Sequence, residues 1–188
     1  MKVLVAYASR HGATKGIAER IALTIQRPGL EVTLRPIDQA TGADQYDAFV
    51  IGSAAYVSHW LKEATQWVRR HQSLLASRPV WLFSSGPIGT DLVDAKGRDV
   101  LAASRPAEFA ELSEAIHPRE ERIFFGAYDP SAKPVGLLER LGALFMRVST
   151  VRSSIPSGDF RDWPAIESWA EAIARELLSA PTVAGAPA

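Results

Sequence analysis

The chain has 188 residues, 47% of them apolar, with five tryptophans, enough for one domain with a sizeable core. Its 21 basic and 21 acidic residues leave no basic excess to neutralise nucleic-acid phosphates. There is no cysteine, so disulfides, thiol redox chemistry and thiolate metal sites are excluded; this composition fits a reducing cytosol, and neither a signal peptide nor an apolar run of membrane-spanning length is expected.

Residues 3–7, Val-Leu-Val-Ala-Tyr, are continuously apolar and predict a central parallel strand. Ser9, Arg10, His11, Gly12, Ala13 and Thr14 follow, and a helix pattern starts at Lys15, with Ile17, Ile21 and Ile25 on one stripe. This order makes an anion site. The N–H groups of the first helical turn, the positive end of the helix dipole and the hydroxyls of Ser9 and Thr14 can all aim at one phosphate. The plain alternative is a strand-to-helix turn that uses Ser, Thr and Gly for capping alone. Residues 30–35 alternate apolar and polar, as an edge strand does, and 36–47 read as a polar loop.

Residues 48–52 form a second buried strand, 53–59 a loop, and Trp60, Ala64, Trp67 and Val68 the inner face of a helix. Residues 79–83 predict a strand opening into the turn-rich stretch 84–89. A helix near Pro106 turns Phe109, Leu112 and Ile116 inward, and residues 122–128 predict the fifth strand. The amphipathic segment 136–148 carries Leu137, Leu141, Leu144 and Val148 on one stripe. It reads as a helix packed on its own domain; the functional alternative is a membrane-interface or partner helix over 136–151, with Arg140, Arg147 and Arg152 toward anionic groups. The last helix is expected from about Trp163 to Leu178, capped by Asp162, and the small, proline-bearing tail 180–188 as disordered. The domain is thus expected over 1–179, with 129–161 as a long insertion.

Five strands separated by helices, with an edge-like second strand, predict an α/β three-layer sandwich around a parallel sheet of order 2-1-3-4-5. In that order ligands bind at the carboxyl ends of strands one and three. Several loop classes are ruled out. Gly12-Ala13-Thr14 lacks the lysine of a P-loop, Gly12 and Gly16 are too few for a dinucleotide fingerprint, and neither Gly52-Ser53 nor Ser85-Gly86 makes a nucleophile elbow. Ala8-Ser9-Arg10 lacks the acidic cluster of a phospho-receiver domain.

Ser9 to Thr14, directly after strand one, resembles the FMN phosphate loop of flavodoxins, and the likeness extends over nearly the whole chain. The run Ser9-Arg10-His11-Gly12-Ala13-Thr14, the segment Tyr46 to Ser53 and the closing Asp162-Trp163 helix are most similar to one branch, the menaquinone-dependent protoporphyrinogen dehydrogenases, which also carry a long insertion after the fifth strand. The resemblance implies FMN as cofactor. Ser9, Arg10, His11, Gly12, Ala13 and Thr14 would hold its phosphate. Ser53, Ala54, Ala55, Tyr56, Val57 and Ser58 would line one edge of the ring, and Ser85, Gly86, Pro87, Ile88 and Gly89 its other face or pyrimidine edge. Arg10 and His11 depart from the ordinary flavodoxin loop and make it more positive; a tighter phosphate site, another anionic ligand or a deazaflavin in place of FMN all stay open.

Tyr56 is placed to stack on the ring, whereas Trp60 reads as core. The four histidines, His11, His59, His71 and His117, show no ligand spacing, so no metal site is expected. His59 adjoins the ring loop and is a candidate hydrogen-bond donor to a substrate. Balanced charge argues against a soluble electron carrier, because flavodoxin carriers are typically acidic. The ring loop has no glycine, and positive φ is costly for Ala or Tyr, so the peptide flip that stabilises a one-electron state in carriers is resisted. The leading reading is a two-electron oxidoreductase acting between an organic substrate, protoporphyrinogen-like by resemblance, and a quinone or other acceptor. No side chain stands out as an acid or base. An electron carrier with a redox protein partner, and a binding module without flavin, are the alternatives. The expected location is cytoplasmic, with peripheral contact at the inner face of the membrane if 136–151 binds lipid.

Overall fold

A computed structural model of the chain describes residues 1–129, 131 and 157–179. The segment 136–151 and the tail 180–188 lie outside the described residues.

The central sheet comprises β1 (Lys2–Ala8), β2 (Glu31–Pro36), β3 (Ala48–Tyr56), β4 (His59–Trp60), β5 (Val80–Ser85) and β6 (Glu120–Phe124). Its order is β2-β1-β3-β5-β6, with all four pairings parallel, and β4 folds back antiparallel on β3. Counting only the parallel strands, this is the expected 2-1-3-4-5 order. A separate antiparallel pair joins β7 (Ala127–Tyr128) to β8 (Gly158–Asp159). The helices are α1 (Ala13–Gln26), α2 (Lys62–Arg70), α3 (Gln72–Leu75), α4 (Val100–Ala103), α5 (Glu108–Ile116) and α6 (Trp163–Ser179).

The continuous apolar runs of β1, β3 and β5 follow from burial on both faces. Val3, Val5 and Tyr7 face α1 and α6, packing with Ile17, Ile21, Ile25, Trp169 and Ile173. Leu4 and Ala6 face the other layer, with Trp60, Leu61, Trp67, Phe109 and Leu112. Each fully buried Ile or Leu contributes about 1.5–3 kcal/mol, so these two layers supply most of the driving force. Two buried indole groups are satisfied, Trp169 Nε1 donating to Glu120 Oε2 at 2.8 Å and Trp67 Nε1 to the Ala40 carbonyl at 2.9 Å. β2 pairs with β1 alone, as its alternating sequence predicts. Asp162 caps α6, its Oδ1 accepting the Ala165 N–H at 3.0 Å.

Three local expectations are corrected. The stretch 53–59 is not a loop: β3 continues through Tyr56, and β4 returns after two residues. Trp60 therefore lies on a strand, because Leu61 is extended (φ −59°, ψ 135°) and delays the helix to Lys62. Trp60 is still core, 4% exposed and edge-on to Phe109 at 4.8 Å, but the hairpin carries it there. The fifth parallel strand spans Glu120–Phe124 rather than 122–128, since its pairing stops where β5 ends, at Ser85 opposite Phe124. Its charged start was hidden by composition. Glu120 is held by Trp169 and Glu121 by Arg105 at 2.7 and 2.8 Å.

Candidate functional site

The register sets the site. Ala8 lies opposite Ser53, Ala54 opposite Ser85, and Ser85 opposite Phe124, so β1, β3 and β5 end at one edge of the sheet. The three stretches singled out in the sequence emerge there side by side and touch pairwise. Thr14 Oγ1 and Ser85 Oγ share a hydrogen bond of 2.7 Å. The Arg10 guanidinium sits over the Tyr56 ring, 5.2 Å from its centroid. Gly86 backs onto Ala55, with only 3.4 Å between the Ala55 Cβ and the place a Gly86 Cβ would take.

The first loop fits an anion. Gly12 caps α1 at φ +85°, a left-handed conformation that only glycine takes at little cost. Ser9 Oγ accepts the Gly12 N–H at 3.1 Å, which folds the loop back over the helix start and keeps the Ser9 hydroxyl proton available to donate. The N-cap Gly12 has no side chain to cap α1, and no acidic residue occupies the helix's first turn. The first-turn N–H groups of a helix have no intrahelical partner. Arg10 and Lys15 bring positive charge to the same end, where the helix dipole is already positive. Cations there destabilise an empty helix end and suit one that meets an anion.

Thr14 and Ser85 are 1% and 3% exposed. Their shared bond consumes one hydroxyl proton, leaving the other to donate elsewhere. Ser53 is fully buried: its hydroxyl donates to the Ala54 carbonyl at 2.9 Å and accepts the Leu61 N–H at 3.1 Å. It braces the base of the hairpin rather than presenting a group to the edge. Ala54 is buried and Ala55 half-buried, whereas Tyr56, Val57 and Ser58 are exposed. In the third loop Gly86, Pro87 and Gly89 are half-buried and Ile88 is exposed; Gly86 N–H reaches the Phe124 carbonyl at 3.4 Å, and the Pro87 carbonyl accepts from Gly126 at 2.8 Å.

The hairpin overturns one premise drawn from the sequence. Side chains do not keep this loop out of positive φ: Val57 stands at +51° and Ser58 at +60°. The turn is fixed from outside. The Ser58 carbonyl accepts the Ala107 N–H at 2.9 Å, Glu108 Oε2 accepts the Trp60 N–H at 3.1 Å, and Glu108 Oε1 pairs with His59 Nδ1 at 2.9 Å. Burial pushes the Glu108 carboxyl up, but its hydrogen bonds from His59 and from backbone N–H groups outweigh that and hold it below the usual glutamate range. His59 thus has a protein partner.

Two contributors escaped the sequence reading. One is Glu108. The other is Arg161, which grips Asp159 through Nε at 2.7 Å and Nη2 at 2.6 Å, donates from Nη1 to the Ala13 carbonyl at 3.3 Å and lies over the Trp163 ring at 4.4 Å. Gly16 makes room for it: a Cβ there would lie 2.5 Å from Arg161 Nη1. A glycine inside a helix costs about 1 kcal/mol against alanine, and that cost was the available signal. Among the described residues no group of three or more His, Cys, Asp or Glu is placed to hold a metal, and no helix is long and apolar enough to cross a membrane.

Comparison with known proteins agrees with this geometry. A family model described as the flavodoxin domain matches residues 4–132, from β1 past β7. The chain belongs to the flavodoxin-domain family. Its fold is that of solved flavodoxins. A flavodoxin from the domain Archaea is 17% identical, with a TM-score of 0.58, over 95% of this chain and 99% of the other. Oxidised flavodoxin 2 from Bacillus cereus is 19% identical, with a TM-score of 0.57, over 94% and 99%. Rubredoxin oxygen:oxidoreductase from Desulfovibrio gigas is 15% identical, with a TM-score of 0.56, over 94% of this chain but only 36% of its own length. At these identities the likeness speaks for the fold. Comparison with curated proteins gives no match.

Proposed function

We propose that this flavodoxin-domain protein binds FMN at the three-loop edge and serves as a two-electron oxidoreductase. The observation that carries the reading is the convergence of all three loops at one edge, joined by Thr14–Ser85, Arg10–Tyr56 and Ala55–Gly86. The donor set fits a phosphate monoester: the backbone N–H groups at the start of α1, the Ser9 hydroxyl, the hydroxyl proton left over by Thr14 and Ser85, the Arg10 guanidinium and the His11 ring N–H. FMN, when bound, supplies hydride acceptance and electron transfer. The chain's own residues bind and orient it. Gly12 would let the backbone turn toward the phosphate, and the exposed hairpin tip from Tyr56 to Ser58 and the stretch from Pro87 to Gly89 would flank the ring, beyond the point where Ala55 and Gly86 pack together.

Resistance to a one-electron state rests on a different cause from absent glycine. The Ser58 carbonyl is committed to the Ala107 N–H, so a flip of the Ser58–His59 peptide would break that bond. Balanced charge supports an enzyme over an acidic carrier. A protoporphyrinogen-like substrate and a quinone acceptor follow from the branch resemblance of the loop, Tyr46 and Asp162-Trp163 segments. A redox titration with an organic hydride donor tests the reaction: the reading expects bleaching of the flavin bands in one two-electron step. Accumulation of a stable one-electron species, with turnover only toward a redox protein, would establish a carrier instead.

A further inference from the structure

We propose that Glu108 is a positioning residue for the ring side of the site, clamping the β3–β4 hairpin in a turn its own sequence disfavours. The consequence for ring binding rests on the flavin reading above; the clamp does not.

Tyr56 pairs with His59, so Val57 and Ser58 alone form the tip. Both have positive φ, as two-residue type I′ hairpins require. Such turns favour Asn-Gly or Asp-Gly, and a β-branched residue in this region is an outlier. The Val57 side chain gains nothing in return, since the residue is 93% exposed. Two paired residues on each arm make a short ladder that does not hold such a turn alone. Strain of this kind persists only where surrounding structure over-determines it.

The surrounding structure is the start of α5. Three successive residues are gripped there: Ser58 of the tip by the Ala107 N–H, and His59 and Trp60 of the outer arm by the two carboxylate oxygens of Glu108. The Glu108 side chain is 17% exposed, so these bonds are partly shielded from water. Its charge also suits the positive end of α5. Glu108 holds the outer arm through His59 and Trp60. It acts through the outer arm on the inner one, where Ala55 packs against Gly86 and Tyr56 lies under the Arg10 guanidinium beside the expected ring site.

The test is a cycle. Glu108→Ala is made in the full chain and again in a Val57→Asn/Ser58→Gly background, whose turn is favoured by its own residues. The first readout is hydrogen exchange of the Leu61 amide in flavin-free protein. That amide bonds Ser53 and Ala54 at the hairpin base and does not touch Glu108. The second readout is affinity for riboflavin, which has the ring without the phosphate. Glu108→Ala is expected to speed Leu61 exchange about tenfold and to weaken riboflavin binding, with both effects at least about threefold smaller in the relaxed background. Glu108→Gln, which keeps an acceptor for the Trp60 N–H, is expected to fall between and covers the case in which the alanine variant does not fold. Equal effects in both backgrounds, or unchanged exchange, would overturn the clamp. Exchange that responds in a protein taking up no flavin would support the clamp and overturn the flavin reading; riboflavin binding with unmoved exchange would do the reverse.

Discussion

The Thr14–Ser85 hydrogen bond is the tightest link between the phosphate side and the ring side, and it makes a quantitative prediction. The two hydroxyls lie 2.7 Å apart at 1% and 3% exposure. Thr14→Val removes one and leaves the Ser85 hydroxyl buried without its partner; Ser85→Ala does the converse. Each single change should cost about 1–3 kcal/mol of stability, the penalty of a buried unsatisfied polar group. Removing both leaves no orphan, so the double variant should cost far less than the sum, with a coupling of about 1–3 kcal/mol. Urea denaturation of the flavin-free proteins measures all four corners of the cycle. Thr14→Val should also weaken FMN about 10- to 100-fold by removing a charge-assisted bond, while riboflavin affinity changes little. Additive stabilities, or equal losses for FMN and riboflavin, would refute the shared-hydroxyl account.

Other predictions concern the loop and its brace. Gly12→Ala forces a side chain to φ +85° and should cost about 1 kcal/mol or more, with a parallel loss of FMN affinity, read by denaturation and by flavin titration. Gly16→Ala gains about 1 kcal/mol of helix propensity but pushes the Arg161 guanidinium tip aside, so stability should change by less than about 1 kcal/mol, whereas in an Arg161→Met background the same change should stabilise by about 1 kcal/mol. The hydrogen bond from Arg161 holds Asp159 below the usual aspartate range, so the stabilisation it gives is present above the unfolded aspartate value and lost as pH falls through the lower folded one. The stability gap between the parent protein and Arg161→Met should therefore be full at neutral pH and narrow below about pH 4, as pH-dependent denaturation can show. Arg10→Gln should weaken FMN binding and reduce its salt dependence, with a much smaller loss for riboflavin, which lacks the phosphate, measured by fluorescence quenching across ionic strengths.

The fold was legible because burial on both faces writes itself as continuous apolar strands. Residues 3–7, 48–52 and 79–83 could be little else, and the alternating 30–35 marked the edge. The phosphate-side loop was legible for a related reason: strand, hydroxyl, glycine and helix follow one another within eleven residues. The hairpin was not. Val57-Ser58 contains no turn signal, because the turn is held by Ala107 and Glu108, about fifty residues away. Trp60 matched helical spacing with Ala64 and Trp67, and only the extended Leu61 separates them. Arg161 reaches α1 from almost 150 positions along the chain, a contact no local pattern encodes.

The central claim is that the phosphate of FMN sits on the loop from Ser9 to Thr14. Side-by-side titration of the flavin-free protein with FMN and riboflavin, followed by quenching of flavin fluorescence, tests it most directly. The account predicts FMN binding at least about tenfold tighter than riboflavin, because the donors at the start of α1 have no other ligand group to meet. Equal affinities, or no uptake of either flavin, would contradict it.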